Sequence, residues 1–179
     1  SYINPRKMNQ MKQIRIEKIT LNMGVGQAGD VLDKAHKLMD TITSSKAVLT
    51  KTMKRNPTWG LRPKLTIGTK STLRGEKAKE LLVRLLKSKG NNISPKSFDN
   101  EGNLAFGVSE YIDIPGVEYD AEVGIIGLEV NVTLERPGFR VKRRKLQRNR
   151  IPRRHRIPKE EAQEFMKKEF GIEIGEEEK

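Results

Sequence analysis

The chain has no cysteine. That excludes a disulfide framework and any thiolate metal site. Histidine is nearly as scarce, with two in 179 residues, and neither stands in a metal-ligand spacing. No apolar run approaches the roughly 20 residues a membrane helix needs. The opening SYINPRKMNQM lacks the apolar stretch of a signal peptide. An intracellular, soluble protein with no membrane partner is expected. Catalytic signatures are missing too. No Ser or Thr sits in a nucleophile elbow. His36 flanks a helix stripe and His155 lies in a basic run, and nothing in the sequence brings them together. The acids lie mostly on helix faces, where solvation or pairing accounts for them. No enzyme, cofactor, metal or small-molecule substrate is expected.

Residues 136–156 lack acids altogether. They read RPGFRVKRRKLQRNRIPRRHR, with eleven Lys or Arg among twenty-one. The chain carries a formal +13, so without this segment's +11 about +2 is left for the rest. The basicity is local. Such a segment repels itself, gains nothing from a protein core and becomes stable when phosphates neutralise it. It is expected to order on its partner. The alternative is a solvated tail or a localisation-like stretch. Its position before a good helix, not at a free end, favours the first reading.

The body is well patterned. Residues 14–23 alternate as a strand, with Ile19, Leu21 and Met23 on one face. A phase shift between Ile16 and Ile19 predicts a bulge near Glu17. A helix is expected over 30–44, with Asp30 as N-cap and Val31, Leu32, Ala35, Leu38, Met39 and Ile42 inward. A short strand follows near 47–52, then a loop over 50–63. Residues 64–74 alternate again, with Leu65, Ile67, Thr69, Ser71 and Leu73 on one face. A second helix spans about 76–89 and stops at Gly90. DNEG at 99–102 reads as a hairpin turn flanked by strands. Residues 127–135 alternate, and a last helix runs from about 158 to 170. The fold class is α+β: a largely antiparallel sheet, helices on one face and an open face opposite. Residues 1–135 form one domain. Residues 136–179 add a basic arm, a helix and a frayed acidic tail, packed on or extending from that domain.

GVGQAG at 24–29 matches G-x-G-x-x-G between a strand and a helix. A dinucleotide site would need a ribose-binding acid about twenty residues on. Ser45, Lys46 and Leu49 stand there instead. The strands also alternate, where buried parallel strands would be continuously apolar. A glycine turn is favoured over a nucleotide-dependent enzyme.

The open face is more informative. Lys18, Thr20, Asn22, Lys64, Thr66, Lys70, Thr72 and Arg74 point outward, with Glu17 the one nearby acid. Short polar groups among cations suit RNA phosphates and 2′-hydroxyls. An ordinary hydrated face is the bland alternative. Glu129, Asn131, Thr133 and Glu135 on the later strand are partly acidic and poor for phosphate. In the 50–63 loop, Lys51, Lys54, Arg55 and Arg62 surround Trp59. The indole either stacks on a base or ribose, or folds back on the core. A general RNA chaperone acting through the arm alone is a third reading.

These residues carry a resemblance. IEKITLNMGVG (16–26), TLRGEKAKELL (72–82), SFDNEGN (97–103), FGVSEYIDIPG (106–116), VEYD (117–120) and GLEVNVTLERPGF (127–139) resemble the universal large-subunit ribosomal protein L five family. The match is colinear and covers nearly the whole chain. RPGF, the basic run and HRIPKEEAQEFMKKEFG (155–171) resemble its archaeal and eukaryotic branch. The resemblance implies a structural protein that binds 5S rRNA and helps seat it in the central protuberance. It implies contacts with 23S-type rRNA, P-site tRNA, neighbouring large-subunit proteins and a small-subunit head protein. The family's RNA-contacting residues match Lys18, Asn22, Thr72 and Arg74. Thr20 and Lys70 join them on the face. Arg140, Lys142, Arg143, Arg144, Arg148, Arg150, Arg153 and Arg154 are the rRNA candidates of the arm. The tRNA-facing loop corresponds to about 52–63, with Lys54, Arg55, Trp59 and Arg62. For GVGQAG the family reading is a turn.

Overall fold

The computed structural model describes residues 9–26, 28–119 and 124–175. Gln27 of the glycine turn, Asp120 of VEYD, the first eight residues and the acidic tail after Gly175 lie outside them.

Five strands build one antiparallel sheet in the order β2-β3-β1-β6-β5. They are β1 (Arg15–Gly24), β2 (Val48–Lys51), β3 (Thr66–Leu73), β5 (Leu104–Val108) and β6 (Leu128–Glu135). β1 is central because its alternation buries one face between two neighbours. Ile19, Leu21 and Met23 are fully buried. Across β6, Leu128, Val130, Val132 and Leu134 continue that layer. Burying such side chains stabilises by about 1.5–3 kcal/mol each. The expected bulge is present: β1 slips against β6 between Ile16 and Lys18, which leaves Glu17 as the extra residue.

Helices α1 (Asp30–Thr43) and α2 (Glu76–Ser88) cover the apolar face. Leu32, Ala35, Leu38, Met39 and Ile42 of α1 are buried, as are Ala78, Leu81, Leu82, Leu85 and Leu86 of α2. Two expectations at the start of α1 are corrected. Gly29, not Asp30, holds the N-cap position; Asp30 is the first helical residue. There its carboxylate faces the positive helix end. Val31 is outside the stripe and 44% exposed, because it sits about 100° around the helix from Leu32, which is buried. α2 ends as expected: Gly90 N–H donates to Lys87 O and Asn91 N–H to Leu86 O, a Schellman closure. Polar residues on the apolar face are satisfied. Thr69 Oγ1 meets His36 Nδ1 at 3.2 Å, and Ser71 donates to Thr43 Oγ1 at 3.4 Å.

DNEG is a turn, but only one strand flanks it. A 3-10 turn (Pro95–Ser97) and the single bridge Phe98↔Leu104 stand on its other side. The third helix, α3 (Lys159–Phe170), leads to a second small sheet. There β4 (Asn92–Ile93) pairs in parallel with β7 (Glu173–Ile174), and Gly175 N–H donates to Ile93 O. The chain is therefore anchored as far as Gly175; the rest of the acidic tail, where fraying is expected, lies outside the described residues.

The arm departs from expectation most. It has a core contribution of its own. Phe139, Ile151 and Ile157 are buried with the body's apolar residues. His155 presents its ring edge-on to Phe139 at 5.7 Å and hydrogen-bonds Pro137 O at 2.8 Å. Arg136, 4% exposed, donates to Arg156 O at 3.1 Å and pairs with Glu161 of α3. Three apolar anchors and acids of the body hold the arm against the domain in this structure.

Candidate nucleic-acid interface

Antiparallel register sets out the open face in rows, because directly paired residues point the same way. One row reads Val48–Lys70–Asn22–Glu129–Gly107. The next reads Thr72–Thr20–Asn131–Ala105. Lys18 pairs with Thr133 beyond it. Thr50–Gly68–Gly24 lies on the other side. Hydroxyls, two amides, two cations and one carboxylate thus share a strip with little bulk. Gly68 keeps it tight: a Cβ there would meet Met23 O at 2.8 Å and Thr50 Oγ1 at 2.9 Å.

Lys18, Thr20, Asn22, Lys70 and Thr72 all lie on this face, as expected. Asn22 donates to Glu129 Oε2 at 3.2 Å, so its amide is oriented and its carbonyl oxygen is left for a ligand. Arg74 is turned aside and pairs with Glu17 at 3.3 Å. The bulge places Glu17 there, and its side chain is 10% exposed. Arg143 of the arm pairs with the same Glu17 and reaches Glu135 at 2.7 Å. Arg15 holds Glu135 from the other side at 2.7 Å. Arg143 therefore joins arm to body, and Arg74 of the body shares one of its two carboxylates. Lys142 is drawn toward Glu101 at 3.6 Å and lies 5.9 Å over the Phe139 ring. Arg144 donates to Gln147 O. Among the described residues, Lys18, Lys70, Arg140, Arg148, Arg150, Arg153 and Arg154 make no ion pair. These seven cations divide between the sheet face and the arm, and the Glu17 junction makes those two surfaces adjoin.

The 52–63 loop extends the β2–β3 hairpin. Thr52 and Lys64–Leu65 close its base by backbone bonds, and Asn56 pairs with Leu61 near its tip. Asn56 Oδ1 caps a 3-10 turn, Pro57–Trp59, and Gly60 reverses the chain at φ +65°. Trp59 is 73% exposed, so the fold-back alternative is excluded. Lys54, Arg55 and Arg62 accompany it without ion pairs among the described residues.

The glycine segment after β1 is not a phosphate cradle. Val25 and Gly26 N–H groups both donate to Ile67 O. α1 leads from β1 to β2, which run parallel but with β3 paired antiparallel between them, so the adjacent parallel strand pair of a dinucleotide-binding unit is not formed. Among the described residues no cluster of His, Asp or Glu could hold a metal. No described helix is long and apolar enough to cross a membrane.

Sequence reasoning missed Val48, 59% exposed in the Lys70 row. It also missed Glu17 and Glu135 as anchors of the arm. The bulge was the one signal that could have drawn attention to Glu17.

A two-layer α+β protein with a flat cationic sheet face and an adjoining cationic arm is a class built to meet polyanions. Family models match almost end to end: "Ribosomal protein L5" over residues 9–62 and "ribosomal L5P family C-terminus" over 66–173. The chain belongs to the ribosomal protein L5 family. It is 46% identical over 168 residues to the large ribosomal subunit protein uL5 of Sulfurisphaera tokodaii, covering 93% of this chain and 95% of that one. The uL5 of Nanoarchaeum equitans is 50% identical over 165 residues, 92% and 97% of the two chains. That of Methanosphaera stadtmanae is 44% identical over 167, 93% and 99%. These relatives are archaeal, in line with the branch to which the RPGF segment and basic run pointed.

Proposed function

We propose that this chain is a non-catalytic, structural constituent of the large ribosomal subunit that binds 5S rRNA and helps attach it to the central protuberance. It works in the cytoplasm, on the ribosome. The observation that carries the reading is the row Thr72–Thr20–Asn131 lying between Lys18 and Lys70, which make no ion pair among the described residues. Hydroxyl and amide groups at strand spacing can contact 2′-hydroxyls and sugar edges, while flanking ammonium groups hold phosphates. Asn22 contributes an oriented acceptor. Arg74 becomes available if an RNA phosphate replaces Glu17.

The arm's free cations, Arg140, Arg148, Arg150, Arg153 and Arg154, take 23S-type rRNA. Lys142, Arg143 and Arg144 support them from the docked side. Residues 1–135 act as the recognition domain and 136–179 as its anchor. The loop with Lys54, Arg55, Trp59 and Arg62 reaches P-site tRNA, its indole stacking on exposed bases or riboses. Contacts with neighbouring large-subunit proteins and a bridge to the small-subunit head complete the set of partners. The test is copurification of the tagged chain with ribosomes. Recovery of 5S rRNA with the large subunit supports the reading; enrichment of unrelated RNA alone, off the ribosome, contradicts it.

A further inference from the structure

The arm and the DNEG turn line an open cleft of about 690 Å³. That is within the roughly 300–1,000 Å³ of small-ligand sites. Its walls differ in chemistry. Leu134, Phe139, Ile151 and Ile157 give it an apolar floor. Arg148 and Arg150 stand at its rim, with no ion pair among the described residues. Lys142 and Arg156 add two more cations, at 3.6 and 3.9 Å from Glu101. Glu101 is the one carboxylate in the lining.

The backbone at Glu101 is held in place. Asp99 Oδ1 accepts from Glu101 N–H at 2.9 Å and Asn103 N–H at 2.7 Å. Gly102, at φ +78°, lies so close to the arm that a Cβ would meet Ile157 Cγ2 at 2.7 Å. Turn and arm are thus fitted to each other around the cleft.

Apolar floor, rim cations and one carboxylate together match a single unstacked nucleotide. A base fills an apolar slot, and its neighbouring phosphates need cations. A carboxylate only accepts hydrogen bonds. Guanine alone among the four bases offers adjacent N1–H and N2–H₂ donors on its Watson–Crick edge. We propose that this cleft takes one extruded guanine nucleotide of the bound RNA, read by Glu101 and held at its phosphates by Arg148 and Arg150. The inference rests on the proposed RNA-binding function, and it adds a base-specific site outside the sheet face.

The test uses the full chain and two heptamers, UUUGUUU and UUUAUUU, titrated at moderate salt. The guanine heptamer should bind about tenfold tighter, the discrimination of one good two-bond base contact. Glu101→Gln should equalise the two, with an unchanged melting temperature. Arg150→Ala should weaken both by a similar factor and keep the guanine preference. Lys87→Ala, exposed on α2, should leave both affinities and the preference unchanged. No preference in the unaltered protein, no binding of either heptamer, or a preference that survives Glu101→Gln would overturn the proposal. Gel shifts of 5S rRNA with sheet-face variants report separately on the proposed function. The cleft can fail while that holds, and the reverse.

Discussion

Arg143 donates to Glu135 Oε2 at 2.7 Å across the junction between arm and sheet. Its second terminal nitrogen pairs with Glu17, the extra residue of the β1 bulge. One guanidinium thus fastens the most basic segment of the chain to two carboxylates, each about one-tenth exposed. The docked arm consequently borders the open face at Lys18.

Glu17→Gln should loosen that junction. It removes the charge that Arg143 and Arg74 share, in a partly shielded site. We expect a loss of about 1–2 kcal/mol in unfolding free energy. Trypsin should cut within residues 140–150 several times faster. Unchanged stability together with unchanged cleavage would show that the ion pairs do not hold the arm.

Ile157→Ala tests the apolar half of the docking. Ile157 is fully buried, and such truncations cost about 2–5 kcal/mol. Hydrogen exchange should report lost protection in residues 151–157 and in the 99–103 turn, which packs on Ile157. Protection lost only in α1 would contradict the packing described.

Gly68→Ala addresses the flatness of the sheet. The added methyl would press on the Met23 carbonyl and Thr50 Oγ1, and the backbone cannot turn aside. A destabilisation of about 1–3 kcal/mol is expected, measured by chemical denaturation.

Trp59→Ala should leave stability within about 0.5 kcal/mol, because the indole covers no core. Binding to tRNA should weaken by about 1–3 kcal/mol, the range for one stacked base. A large drop in melting temperature would restore the fold-back reading.

Replacing Arg148, Arg150, Arg153 and Arg154 by Gln should weaken rRNA binding broadly. With four phosphate contacts removed, the slope of log affinity against log salt should become shallower by roughly 3. An unchanged slope would mean that these arginines meet no phosphate.

Much of the sheet was legible because burial imposes a two-residue period. Ile19, Leu21 and Met23 could point only one way, and even the bulge appeared as a slip in that rhythm. The α2 stop was legible because Gly90 serves a defined backbone geometry. Local rules failed at the start of α1, where Asp30 resembles a cap but Gly29 holds that position. The β4–β7 pair was invisible, since two-residue strands carry no periodicity. The arm was misread for a related reason. Its charge is local, but what neutralises it is not: Glu17, Glu101 and Glu135 lie in other segments. Its anchors Phe139, Ile151 and Ile157 are too far apart in sequence to form a pattern. The candidate residues on the face were legible from alternation and polarity; that Arg74 and Arg143 share one carboxylate was not.

The central claim is that the preference for 5S rRNA over an unrelated duplex resides on the sheet face, in the Thr72–Thr20–Asn131 row and Asn22. Gel-shift affinities for 5S rRNA and an unrelated duplex should be compared for the unaltered protein, Asn22→Ala and Thr72→Ala. The account predicts that both variants lose affinity for 5S rRNA while binding the unrelated duplex as before, so that the preference shrinks. Undiminished preference in both variants would contradict it.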